Sequence, residues 1–469
     1  MKTECNGKSL EFQALGRREI VARFDGGTIS SDGGGLLLRQ CERATGIVRR
    51  FASCFTDHRD PAQIEHTAQE LVAQRVYALA LGYEDLIDHD ALRHDPLLAA
   101  LVGKLDPCGE SRKRKADRGK ALAGKSTLNR LELTREGATP AERYKKIEVN
   151  TAQVESFLMD VFLDAHETAP VEVVLDLDAT DDPIHGSQEG RFFHGYYDGY
   201  CYLPLYIFCG EHLLCAKLRP SNIDASEGAL EEVERIVGQI RGRWPRTRII
   251  LRGDSGFCRE RLMAWCEANG VDYILGLARN SRLVGRIEEG LQQARILYEQ
   301  TNQPARVFRE FAYRTLDTWS SERRVVAKAE HLEKGANPRF IVMSLSGDSR
   351  RLYEEVYCAR GEMENRIKEQ QLHLFADRTS AATMRANQIR LWFSSVAYLM
   401  MQAVRRLALK GTELAHAQCA TIRLKLLKIG AQVRITVRKV WVSLAGGCPY
   451  QSVFIQAYEN LQRLRPLRR

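Results

Sequence analysis

No two cysteines in this chain stand two residues apart. The twelve present, Cys41, Cys108, Cys258 and Cys419 among them, are scattered without the spacing of zinc ligands. The pattern excludes a zinc ribbon and reads as reduced, mostly buried thiols of a cytoplasmic protein. Long apolar runs are also missing. The most apolar stretch, Leu391 to Met401, falls well short of the roughly 20 residues a membrane span needs, so a buried core helix is expected there. The opening MKTECNGKSLEFQ carries no apolar run of the kind a secretory leader has. There is no Gly-x-Ser-x-Gly elbow and no Cys-His signature, which argues against a covalent hydrolase, and no internal repeat or low-complexity tract. From Leu414 to Tyr458 not one residue is acidic, while Arg423, Lys425, Lys428, Arg434, Arg438 and Lys439 all fall there. Such a basic face suits a polyanion, with an acidic protein partner as the alternative.

What is present sets the scale. At 469 residues the chain exceeds one ordinary core, which predicts two to four domains. A composition of 44% hydrophobic and 28% charged residues is that of a globular protein, and the net charge of +9 favours a polyanionic partner. Residues 1–150 read as a mainly helical N-terminal domain behind a Gly-rich opening, FDGGTISSDGGG. In HTAQELVAQRVYALALGYEDL, Leu71, Val72, Val76, Leu79 and Leu81 recur at helical spacing, and Gly82 is the expected stop. The cluster Arg112, Lys113, Arg114, Lys115, Arg118 and Lys120 is either a solvated loop or a phosphate contact. Gly119 to Ser126 matches the Walker A pattern letter for letter. The charged run SRKRKADR stands where that motif needs a strand, so a basic linker leading into a helix is the better account.

From about residue 170 the period changes to two. VEVVLDLDA, CYLPLYIFC and LLCAKLR predict three strands, the last two forming a hairpin that turns at Gly210 and Glu211. A helix is expected from Ala225 to about Arg241, with Asp224 as the cap of a capping box. Strand RIILRG, helix CRERLMAWCEAN and strand YILGLA follow. The succession strand, strand, strand, helix, strand, helix, strand is the order of an RNase H-like α/β core, placed here at residues 170–280. Residues 281–350, rich in Arg, Val and Phe, predict a β-rich insertion. Residues 351–410 are expected to form core helices, and residues 411–469 a helical, basic C-terminal region.

Three acids stand at telling points of that order. Asp178 and Asp254 each close an apolar strand, where an α/β sheet exposes its functional end, and Glu364 falls on a helix, a stiff support. Carboxylates so placed can hold two divalent ions about 3.5–4 Å apart, which together activate a water and clamp the leaving oxygen of a phosphodiester. Hard oxygen donors select Mg²⁺ or Mn²⁺. By the period of two, Asp176 points to the same face as Asp178, so either can be the first ligand; Asp181 and Asp182 are further candidates in the following turn.

Around these acids lie Asp178-Ala179-Thr180, Arg252-Gly253-Asp254-Ser255-Gly256-Phe257, and Tyr357, Arg360 and Glu364 at Tyr, two residues, Arg, three residues, Glu spacing. In them the chain resembles the DDE transposases of bacterial insertion sequences, in the branch with a Tyr-Arg-Glu-Lys signature. The resemblance covers roughly residues 40 to 450, including DHRDP near the start and TIRLKLLKIGA near the end. It breaks at one point. The signature Lys, seven residues after the Glu, falls on Gln371, and the nearest lysine is Lys368, one helical turn from Glu364. Either Lys368 substitutes or the role is dispensable.

The resemblance implies metal-dependent cleavage at transposon ends and strand transfer, with Asp178, Asp254 and Glu364 as catalytic acids holding Mg²⁺ (or Mn²⁺). It implies contacts of Tyr357, Arg360 and Lys368 with DNA phosphates. Trp319, the only tryptophan of the insertion, is the candidate for stacking on a flipped base, with an ordinary core tryptophan as the alternative. The expected partners are double-stranded DNA, as terminal inverted repeats and as target, and a second copy of the chain in a homodimeric synaptic complex. The N-terminal domain is expected to bind DNA, and the expected location is the bacterial cytoplasm, at the nucleoid when DNA-bound. A hairpin at the excised ends is left open. His185 and His194 read as loop or substrate-contact residues rather than metal ligands. Two rivals stand beside this reading: an RNase H-like nuclease or resolvase without strand transfer, and an inactive domesticated DNA-binding protein, which the break at Gln371 keeps open.

Overall fold

A computed structural model describes residues 9–464. The polar opening and the end of the basic C-terminal region fall in part on residues 1–8 and 465–469, which lie outside the described residues. The chain divides into two units, Met1–Val149 with Val396–Arg469, and Asn150–Ser395.

The second unit begins with helix α1 (Thr151–Asp164) and is built on a nine-stranded sheet. Its strands are β1 (Glu172–Ala179), β2 (Leu205–Cys209), β3 (His212–Lys217), β4 (Arg248–Gly253), β5 (Asp272–Leu277), β6 (Ala305–Tyr313), β7 (Arg323–Leu332), β8 (Gly335–Ala336) and β9 (Arg339–Met343). They lie in the order β3-β2-β1-β4-β5-β9-β7-β6, with β8 beside β7. The pairs β1–β4 and β4–β5 are parallel and the remaining pairs antiparallel.

The alternation of the central strands sorts side chains into two layers. Val173, Leu175 and Leu177 of β1, Ile249 and Leu251 of β4, and Tyr273 and Leu275 of β5 share one core with Phe162 of α1. Val233 and Ile236 of α2 (Ala229–Arg243) and Leu262 and Met263 of α3 (Glu260–Ala268) complete it. Ile250 and Ile274 face the other way, in a second core with Val326, Ile341 and Tyr353. Each fully buried Leu, Ile or Val contributes about 1.5–3 kcal/mol, and a slip of one residue would exchange the two faces, so register is fixed by this pattern. Asp176 and Asp178 of β1 and Arg252 of β4 occupy alternate positions on the second face, where the pattern would otherwise place apolar residues.

Several elements differ from the sequence reading, each for a local reason. CYLPLYIFC is two strands: Gly199–Tyr202 belongs to a separate three-stranded sheet with Asp182–Pro183 and Phe192–His194, and β2 begins at Leu205. Pro204 lies between them and has no N–H to give to a ladder. The helix expected from Ala225 starts at Ala229. Asp224 instead accepts from the Ser226 N–H at 2.9 Å in a turn, and Gly228, at φ 72°, stands at the cap. Residues 281–350 open with helices Ser281–Gly285 and α4 (Glu288–Thr301), the latter in a stretch of good helix formers, EEGLQQARILYEQT. The strands after α4 continue the main sheet through the β5–β9 pair. A run of helical turns from Ser349 to His373, with α5 (Gly361–Lys368) inside it, follows.

In the first unit, helix Ala68–Leu81 carries a capping box between Thr67 and Glu70 and ends at Gly82, as its sequence signals. Gly34 sits where a Cβ would fall 1.9 Å from the Leu426 carbonyl oxygen, so the Gly-rich opening allows a backbone-to-backbone approach. The Walker-like stretch has no strand before it; Lys125 begins helix Lys125–Glu132 and pairs with Asp90 at 3.4 Å. Within the nearby basic cluster, Arg112 is held by Glu65 at 2.8 Å. The C-terminal region is not helical throughout: Ala431–Ile435 and Val440–Leu444 form an antiparallel ribbon that pairs with Ile29–Ser30. The period-two alternation of AQVRI and VWVSL, rich in β-branched residues, accounts for it.

Leu391 to Met401 lies within helix Met384–Ala403 and is buried throughout. Among the described residues no helix is long and apolar enough to cross a membrane. None of the eleven described cysteines is in a disulfide.

Candidate active site

Because β1 and β4 are parallel neighbours, their C-terminal ends emerge at one edge of the sheet. Asp178 is the penultimate residue of β1, and Asp254 directly follows β4. Asp254 caps the turn Ser255–Phe257, its Oδ1 accepting from the Gly256 N–H at 2.8 Å. Glu364 lies in the first turn of α5 and is half exposed. The three acids, from three elements far apart in sequence, line one cavity of about 500 Å³ together with Thr180, Arg360 and Lys368.

The electrostatics centre on Asp178. Burial pushes its carboxyl up to about 6, the Arg360 guanidinium works against that, and the charges of Asp254 and Glu364 add to it. Arg360 donates to Asp178 Oδ1 at 3.1 Å and reaches Glu364 Oε1 at 3.5 Å. It therefore supplies the positive charge between two acids that would otherwise repel.

Asp176 has a different partner. In the β1–β4 register it lies opposite Arg252, whose Nη2 donates to Asp176 Oδ2 at 2.7 Å while Nε bonds Oδ1. A further guanidinium nitrogen of Arg252 donates to the Val356 carbonyl, tying the sheet to the helical run that follows it. Asp176 is buried in this fork and absent from the cavity lining. Asp182, also weighed from the sequence, is buried, which pushes its carboxyl well above the ordinary range, and it too lies away from the cavity wall. Asp181 turns its backbone carbonyl to Gln371, whose Nε2 donates to it at 2.9 Å. The Gln at the signature position thus holds the loop after β1. Lys368 is exposed on the cavity wall.

Tyr357 faces a second cavity of about 470 Å³, which shares Asp254 and Ser255 with the first and is lined also by Arg279 and Arg339. Gly276 of β5 makes this possible. A Cβ there would stand 2.7 Å from Tyr357 Oη and 2.8 Å from the Ser255 nitrogen.

Trp319 lies in the core, the alternative its sequence position also offered. Only 7% exposed, it packs edge-on against Tyr313 at 5.8 Å in the main core, and Arg323 lies over its ring at 5.4 Å. The three-stranded sheet supplies two tyrosines that the sequence reading did not single out. Its Phe192–His194 and Gly199–Tyr202 strands bring Tyr196 and Tyr197, with His194, to the first cavity, Tyr197 Oη donating to the Ala179 carbonyl at 3.4 Å. The signal was the density of aromatics in HGYYDGY, visible only once the strands around it are known. His185 is exposed and lies outside the cavity lining.

The donors are of the type a hard divalent cation takes: three carboxylates, one of them raised by burial and by the other two, with Arg360 and Lys368 on the same wall. Among the described residues no three His, Cys, Asp or Glu side chains are gathered closely enough to hold an ion as they stand, and Arg360 occupies the place between two of the acids.

Comparison with known proteins gives a matching family, described as transposase DDE domain group 1, over residues 12–466. No curated protein matches the chain. Among solved structures, the cryo-EM structure of a piggyBac transposase synaptic complex with hairpin DNA is similar at a TM-score of 0.42 and 10% identity, over 93% of this chain and 86% of that one.

Proposed function

The chain belongs to the transposase DDE domain group 1 family, and from that premise we propose that Asp178, Asp254 and Glu364 are the acids with which it cuts and joins DNA. It is a transposase and acts in DNA transposition. The observation that carries the residue assignment is the convergence of these three carboxylates on one cavity from two strand ends and a helix. The strand order β3-β2-β1-β4-β5, with β2 antiparallel to β1, supports an RNase H-like core. The pairing of Asp176 with Arg252 supports Asp178 as the first ligand.

The three acids would hold Mg²⁺ or Mn²⁺, which when bound lowers the pKa of a water and offsets charge on the leaving oxygen. In cleavage, water adds to the phosphorus, the bond to the 3′-oxygen breaks, and that oxygen leaves as a hydroxyl. In joining, the same hydroxyl attacks a phosphodiester of the target, one P–O bond forming as another breaks, so no covalent protein intermediate arises. Arg360 spans the acids with a planar fork that suits a phosphate equally well, and Lys368 adds a mobile charge on the same wall. Tyr357 and Arg279 stand beyond the Asp254 turn, where a strand leaving the cavity would pass. Terminal inverted repeats and target duplexes as substrates, a homodimeric synaptic complex, and a place beside the bacterial chromosome belong to the same proposal.

The deciding experiment supplies pre-cleaved ends of the DNA that borders the coding sequence. Joining to a target plasmid in Mg²⁺, lost in Asp254→Asn, is expected. Cleavage of intact ends without any joining would make the chain a nuclease or resolvase.

A further inference from the structure

The ribbon of Ala431–Ile435 and Val440–Leu444 takes no part in the site described above. Its strands pair with Arg434 opposite Trp441 and Gln432 opposite Ser443. Alternation sorts its faces: Ala431 and Val433 are buried, while Gln432, Arg434, Trp441 and Ser443 are exposed. The base is anchored by pairing with Ile29–Ser30 and by the Val433 N–H, which donates to the Thr28 carbonyl at 2.8 Å. Past that anchor the turn is exposed, with Val437 fully so. The turn is closed by Thr436 and Lys439, which exchange backbone and side-chain hydrogen bonds.

An edge ribbon bearing an exposed Trp is a hazard for aggregation, and charges on such a strand commonly serve only to guard it. The charge pattern here goes further. Arg434, Arg438 and Lys439 have no carboxylate within ion-pair distance among the described residues, and residues 414–458 contain no acid at all. Arg434 and Lys439 instead flank the Trp441 ring at 5.8 and 5.1 Å. A guard can be of either sign; a wholly cationic ribbon is complementary to a polyanion. A two-stranded ribbon also has the width that the roughly 12 Å major groove of B-DNA admits, and Arg is a side chain that pairs with base edges there.

We propose that the ribbon of residues 431–444 is a contact for double-stranded DNA that lies in the major groove, with Arg434 toward base edges and Arg438 and Lys439 on flanking phosphates. It rests on the transposase reading only in taking DNA as the partner.

The test measures binding of the full chain, by fluorescence anisotropy at several salt concentrations, to a duplex cut from the DNA bordering the coding sequence and to a scrambled duplex of equal length. Arg434→Ala should weaken the first by roughly fivefold to a hundredfold and the second less. Arg434→Lys, which keeps the charge without the fork, should recover the scrambled-duplex affinity and not the discrimination. Arg438→Ala and Lys439→Ala should weaken both duplexes alike, each lowering the salt slope by about one. Unchanged affinities and slopes in folded variants, beside a wild-type chain that binds, would overturn the proposal. So would altered self-association with DNA binding intact, since the ribbon would then meet a second copy. Failure of the wild-type chain to bind either duplex would take down the transposase reading as well as the ribbon.

Discussion

Arg360 donates to Asp178 at 3.1 Å across 182 positions of sequence, and the same guanidinium reaches Glu364 one turn along its own helix. This one side chain connects two of the three acids and offsets their repulsion. Arg360→Ala should therefore lower single-turnover cleavage by roughly a hundredfold or more, the scale on which removing a charge-stabilising group acts. Arg360→Lys should recover only part of the rate, because an ammonium cannot span both carboxylates. A cleavage rate in Arg360→Ala equal to that of the wild-type chain would remove Arg360 from the site.

Asp176 and Asp178 should part company under mutation. Asp176→Ala leaves Arg252 buried without its partner, and breaking such a pair costs about 3–5 kcal/mol. Urea unfolding should show that loss. Asp178→Asn removes a carboxylate that burial disfavours, so its stability should hold while cleavage disappears. The reverse pattern, a stable inactive Asp176 variant and an unstable Asp178 variant, would exchange their roles.

Trp319→Ala should behave as a core mutation. Loss of a packed Trp costs about 3–5 kcal/mol, to be seen in the unfolding midpoint, whereas affinity for end DNA at a permissive temperature should stay within twofold of the wild-type chain, on the order of 0.4 kcal/mol. A selective loss of DNA binding with stability intact would return Trp319 to the base-stacking role its position in the sequence suggested.

The strands at 172–179 and 248–253 and the helix at 68–81 were legible because each is a local signal: an apolar run closed by Asp, or helical spacing ended by a Gly stop. The choice between Asp176 and Asp178 was not, since both point the same way and only the register with β4 sets Arg252 against one of them. Pro204 was visible in sequence, yet what it divides, a strand of the main sheet from a strand of the small one, depends on pairing partners that are distant in the chain. For the same reason Gln371 read as a missing lysine. Its contact with the Asp181 carbonyl exists only once a helix lies against the loop after β1.

Gly276→Ala probes how tightly the two cavities share their wall. The new methyl group would press on Tyr357 Oη and the Ser255 nitrogen, so overpacking of about 1–3 kcal/mol and displacement of the Asp254 turn are expected, with cleavage falling more than DNA affinity. Adding Tyr357→Phe removes the nearer obstacle and should recover part of the stability. Gly276→Ala with undiminished cleavage would show that the Asp254 turn tolerates the shift.

The pH dependence follows from the raised carboxyl of Asp178. With a folded pKa near 6 against an ordinary 3.8, this group binds its proton more tightly in the folded chain than in the unfolded one. Its contribution therefore turns against folding as the pH rises from about 4 through 6, by roughly 3 kcal/mol when complete. In chelator, the wild-type chain should lose stability relative to Asp178→Asn across that window. A cation bound by the ionised carboxylates should reverse the loss, because a ligand taken only by the folded state stabilises it by mass action. Added Mg²⁺ should then raise the unfolding midpoint of the wild-type chain above pH 6 more than below it, and leave Asp178→Asn nearly unmoved. An equal rise in both proteins would place the cation elsewhere, and Asp178 would no longer be a ligand.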